Sequence, residues 1–128
     1  MKLLGIDYGR KKIGLAVSDG ILAEPLKIQR YKDIKILSDK VKVITKELEI
    51  EKIVVGISEG EMGKESKEFG IKLENELKIP VVFQDETLST QSAQELSISA
   101  NINRKKRKEM EDAYAAALIL QSYIDSNG

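Results

Sequence analysis

The chain has 128 residues, with 21 basic and 21 acidic side chains, no histidine and no cysteine. Its length and 41% hydrophobic content suit a single domain, residues 1–128, built on one core. Disulfides, thiol or imidazole metal sites and Ser-His triads are excluded, so any chemistry must come from carboxylates, lysines, hydroxyls or an oxygen-held metal ion.

Residues 3–8 and 12–18 are apolar runs separated by Gly9-Arg10-Lys11, which reads as a hairpin. Both are apolar on alternate residues of either parity, as strands covered on two faces are. A short third strand is predicted after Pro25, over 26–29. Ile34, Leu37, Val41, Ile44 and Leu48 then recur at spacings of three and four, predicting a helix over 33–48 with Asp33 as its N-cap. Residues 52–57 read as a buried strand. The polar stretch 58–65 reads as a loop, 64–78 as a helix and 80–84 as a strand opening on Pro80. A weaker helix over 88–99 and a strong one over 109–125 complete the chain. The latter carries Ala113, Ala116, Ala117, Leu120 and Ile124 on one face. The order β-β-β-α-β-α-β-α-α predicts an α/β domain with a mixed sheet flanked by helices on both faces.

Asp7 stands out within this pattern. It is a carboxylate in a run that otherwise reads as a buried strand, and burying an unpaired charge costs several kcal/mol even after relaxation. Such a residue is hydrogen-bonded, salt-bridged to Lys11 or Lys12, bound to a cation, or engaged in chemistry. Two further acidic positions sit at element boundaries: Asp85-Glu86 after the strand ending at Gln84, and Asp112 in the first turn of the last helix. Taken singly, each has a structural explanation, as a turn residue or as a helix-dipole partner. Strand C-terminal ends of an α/β sheet converge on one crevice. Carboxylates gathered there would repel one another unless a divalent cation joined them. Mg²⁺ suits such donors, and two ions about 4 Å apart cleave phosphodiesters without His or Cys. Arg104-Lys105-Lys106-Arg107-Lys108 lies just before Asp112, where phosphate contacts would be useful. The same block also reads as an ordinary solvated charge run. Gly63-Lys64 is not a Walker A ending, because Ser58 replaces its first Gly and Glu65 its Mg²⁺-binding Ser or Thr.

Four segments, in order, resemble a known family: Gly5-Ile6-Asp7-Tyr8-Gly9 with Lys11 to Asp19; Val54-Val55-Gly56-Ile57; Asp85-Glu86-Thr87-Leu88-Ser89-Thr90; and Lys106-Arg107-Lys108 with Asp112 to Gln121. They resemble the bacterial YqgF-like family of pre-16S rRNA nucleases, also described as Holliday-junction resolvase homologues. The resemblance implies an RNase H-like fold with a five-stranded mixed sheet whose second strand is antiparallel. It implies a metal-dependent nuclease holding Mg²⁺ or Mn²⁺ on Asp7, Asp112 and a middle acid, Glu86 or alternatively Asp85. It further implies processing of the 5′ end of pre-16S rRNA; Lys11, Lys12, Arg104, Lys105, Lys106, Arg107 and Lys108 are the candidate nucleic-acid contacts. Thr87 departs from a usual Arg, which touches a phosphate contact, and Ser58 departs from a usual Pro in a loop.

Structured RNA is the leading substrate and branched DNA the runner-up. Junction resolution needs two symmetric sites and hence a homodimer. A non-catalytic ribosome-assembly factor that binds nucleic acid is the non-enzymatic rival. An ATP-binding domain of the actin and sugar-kinase class needs two such domains, and this length holds one. No apolar run reaches the roughly 18 residues of a membrane helix. The N-terminus opens directly into a strand pattern, so the expected location is the cytoplasm.

Overall fold

The computed structural model describes residues 1–85 and 110–127. The elements are β1 (Leu3–Asp7), β2 (Lys12–Ser18), β3 (Ala23–Arg30), α1 (Ile34–Glu47), β4 (Lys52–Ile57), α2 (Glu61–Leu77), β5 (Val81–Asp85) and α3 (Glu111–Asn127). The strands form one sheet in the order β3-β2-β1-β4-β5. Strands β1, β4 and β5 run parallel, while β2 is antiparallel to both its neighbours. The predicted hairpin, mixed sheet and reversed second strand are all present. No helix among the described residues is long and apolar enough to cross a membrane.

Strand alternation divides the core in two. Leu4, Ile6, Ile13, Leu15, Ile53 and Val55 face α1 and α2, where Leu37, Val41, Phe69 and Leu73 meet them. Leu3, Ala16 and Val54 face α3, where Ala116, Ala117, Leu120 and Ile124 meet them. Each large aliphatic side chain buried in this way contributes about 1.5–3 kcal/mol. The stripe predicted on the last helix is thus the one that docks. Asp33 caps α1 as expected, its carboxylate accepting from Lys35 N at 2.8 Å.

Two details differ from the sequence reading. Strand β3 begins at Ala23, so Pro25 lies inside it. Pro25 opposes Ala16 where the β2–β3 register shifts, on the outermost strand, and there a missing N–H breaks no central ladder. Helix α2 begins at Glu61, so residues 61–65 are helical and the loop shrinks to 58–60. Gly60 supplies the entry at φ 81°, and Glu61 places a negative charge in the first turn, which the helix dipole favours. The helix expected over 88–99 lies outside the described residues.

Candidate active site

Asp7 is the last residue of β1 and is half-buried, not sealed in the core. Its cross-strand partner on β2 is Gly14. By alternation Asp7 shares the α3 face with Leu3 and Gly5. Gly14 lies directly beneath the first turn of α3, where a Cβ atom would stand 1.9 Å from the Asp112 carbonyl oxygen. At Gly5, a Cβ would stand 2.9 Å from the Ala116 carbonyl oxygen. Only glycine at these positions lets the helix backbone come so close. The effect is specific: the backbone of Asp112 rests on the residue paired with Asp7. Both acids line one cleft of about 370 Å³, together with Tyr8, Gly9, Arg10, Lys11 and Lys12.

Three cationic side chains also line the cleft. Lys12 Nζ lies 3.2 Å from Asp112 Oδ2, with both side chains about a third exposed. Arg10, which also lines the cleft, grips Glu65 on α2 with two nitrogens, Nε at 3.0–3.1 Å and Nη2 at 2.6 Å. Those hydrogen bonds raise the Arg10 pKa and hold the Glu65 carboxyl below the usual carboxylate range. The β1–β2 connection is also tied from behind. The Tyr31 hydroxyl donates to the Gly9 carbonyl, and Tyr31 N donates to Lys11 O at 3.0 Å. Tyr8 packs on Phe69 of α2 with ring centres 5.1 Å apart. Burial, then a hydrogen bond with Tyr8, pushes the Tyr31 phenol above its ordinary pKa.

The structure therefore brings Asp7, Asp112, Lys11 and Lys12 to one cleft. Asp85 is placed differently. It follows Val81 and Phe83 in parity and pairs with Ile57, which puts it at a register position on the α1/α2 face, opposite to Asp7. Glu86 and Arg104, Lys105, Lys106, Arg107 and Lys108 lie outside the described residues. Among the described residues no three acids gather into a metal cluster. Asp7 and Asp112 are both hard oxygen donors on that cleft, in a chain with no histidine or cysteine.

Sequence reasoning missed three contributors. Gly14 was visible only as a glycine in a strand, a signal of close backbone approach that does not say what approaches. Tyr31 and the Arg10–Glu65 pair act across 22 and 55 residues, and nothing local marks such partners.

Comparison with known proteins places the chain in a family. The family model RuvX, described as Holliday junction resolvase, matches residues 1–126. A curated relative from Syntrophomonas wolfei, named "Putative pre-16S rRNA nuclease", is 41% identical over 98% of this chain and 94% of its own length. One from Clostridium novyi with the same name is 40% identical, over 98% and 99%. The solved structure of Thermus thermophilus RuvC with a Holliday junction substrate superposes with a TM-score of 0.67 at 16% identity, covering 99% of this chain and 96% of that one. At that identity the likeness establishes the fold alone, which is RNase H-like.

Proposed function

We propose that this chain, which belongs to the RuvX Holliday junction resolvase family, is a nuclease whose hydrolysis depends on a divalent metal and whose substrate is the 5′ region of pre-16S rRNA. Nuclease activity follows from the family; the metal, the residues and the polymer are the proposal. The observation that carries it is the seating of Asp112 on Gly14, the partner of Asp7, which directs two carboxylates into one cation-rimmed cleft.

Asp7 and Asp112 would hold Mg²⁺ or Mn²⁺ together with Glu86, and the metal would supply an activated water and charge stabilisation at the leaving oxygen. The parity of Asp85 favours Glu86 as the middle ligand. The remaining work belongs to the chain's own groups. The Gly14–Asp112 contact holds the backbone from which the Asp112 side chain reaches the cleft that Asp7 also lines. Lys12, in contact with Asp112, offsets the repulsion between them. Lys11 and Lys12 place positive charge at the cleft where a phosphate backbone would lie. The basic block 104–108 is proposed to extend that contact, as is a location in the cytoplasm.

Pre-16S rRNA is favoured because relatives at about 40% identity over nearly their whole length carry that name. The description of the family favours a second reading, a four-way DNA junction, which would require a homodimer. Cleavage of the two substrates side by side, with Mg²⁺, with Mn²⁺ and with chelator, separates these readings. We expect metal-dependent cleavage of the RNA with little of the junction. Junction cleavage by a dimer, with the RNA left intact, would reverse the assignment. Cleavage that survives chelation would remove the metal from the account.

A further inference from the structure

Arg10 lines the cleft with Asp7 and Asp112, yet its guanidinium is engaged by Glu65, a residue of α2 outside the cleft lining. The pair is not the sole restraint on the β1–β2 connection. The Tyr31 hydroxyl holds Gly9, Tyr31 N holds Lys11 O, and Tyr8 is packed on Phe69. The loop has three other ties, so its conformation does not depend on Arg10.

The geometry of the pair suggests a different use. A guanidinium fork receives a phosphate with the same two-pronged arrangement it offers a carboxylate. Glu65 presents to Arg10 the two oxygens that a backbone phosphate would present. The Arg10 side chain is 60% exposed and that of Glu65 32%. Pairs this exposed are weakly held, because water screens them and two long side chains must be ordered. The exchange of one anion for another is therefore easy, and Arg10 already lines the cleft while it is paired.

We propose that Arg10 is a backbone-phosphate ligand of the cleft and that Glu65 is its built-in competitor, displaced when a nucleic-acid strand enters. This rests on the reading that the cleft takes nucleic acid. Its consequence is a threshold. A strand must displace Glu65 to gain Arg10, so a ligand that reaches this point alone gains little. One that also engages Lys11 and Lys12 gains the full contact.

A double-mutant cycle tests the exchange. Binding is measured in an Asp7→Asn background with Ca²⁺ present, so that cleavage does not interfere. The probes are a fluorescent RNA stem-loop and a fluorescent four-way DNA junction. Glu65→Gln should tighten binding by about two- to fivefold, the range of an exposed ion pair. Arg10→Ala should weaken binding and reduce the salt slope by about one phosphate contact. In the Arg10→Ala background the gain from Glu65→Gln should vanish. Glu61→Gln is the charge control: it removes a carboxylate that acts on Arg10 through its charge, and it should give a smaller gain. Coupling with either probe supports the exchange, and the probe with the larger coupling identifies the strand seated on Arg10. The proposal is overturned if Glu65→Gln tightens binding equally without Arg10, if it weakens binding, or if no variant binds either probe. Failure of the nuclease reading shows elsewhere, as wild-type protein that cleaves neither RNA nor junction with Mg²⁺ or Mn²⁺ present.

Discussion

On one face of the sheet, α1 and α2 meet Leu4, Ile13 and Val55 through Leu37, Val41, Phe69 and Leu73. On the other, α3 lies against Gly5, Gly14 and Ala16 through Ala113, Ala116 and Ala117. Long side chains hold α1 away from the strands, whereas α3 runs with its backbone close along β1, β2 and β3. The first arrangement buries the larger set of apolar side chains, and each adds stability as it leaves water. The second gives up some of that surface and gains placement: a helix backbone resting on a strand backbone has almost no freedom to shift. The candidate site lies on the face where packing is thin and placement is tight.

A pair of substitutions can break this comparison. Gly14→Ala puts a methyl group where the Asp112 carbonyl oxygen stands. Displacing the first turn of α3 by an ångström should cost cleavage about 10²-fold, while overpacking should cost about 1–3 kcal/mol of stability. Leu73→Ala, on the other face and fully buried, should cost about 2–5 kcal/mol. It should leave the turnover of the folded fraction unchanged. Urea unfolding and cleavage rates normalised to folded protein give both numbers. If Leu73→Ala reduced turnover as much as Gly14→Ala, the two faces would not be distinct in function.

A smaller effect concerns where the faces meet. Tyr31 packs against the α1/α2 core and holds the loop above the cleft. Its phenol is raised in the folded state, first by burial and then by Tyr8. The folded chain therefore binds that proton more tightly than the unfolded chain does. The resulting stability is fully present below about pH 10, the ordinary pKa of a free tyrosine, and is lost as pH rises beyond that. Thermal melts should show this alkaline decline, and Tyr31→Phe should flatten it. An unchanged pH profile in the variant would detach Tyr31 from the cleft.

Much of the architecture was legible because it rests on period and spacing. The α3 stripe, the Asp33 cap and the doubly apolar strands are local patterns, and local patterns survive folding. Pro25 misled because its cost depends on whether the strand is central or at the edge, which is a tertiary fact. The start of α2 at Glu61 was hidden by two glycines that read as loop. Asp7 and Asp112 were visible as acids in odd places, but their meeting depends on Gly14, whose neighbour is 98 residues away. Arg10 and Glu65 carry no local signal at all.

Asp7 carries the central claim, and one measurement tests it most directly: single-turnover cleavage of precursor 16S rRNA with Mg²⁺, comparing wild type and Asp7→Asn at matched folded fraction. The account predicts that cleavage falls by about 10²-fold or more, the scale of losing a group that stabilises the transition state. The melting temperature and RNA affinity should be little changed. Cleavage by Asp7→Asn at the wild-type rate would contradict the account, because the cleft beneath α3 would then not be where the bond is broken.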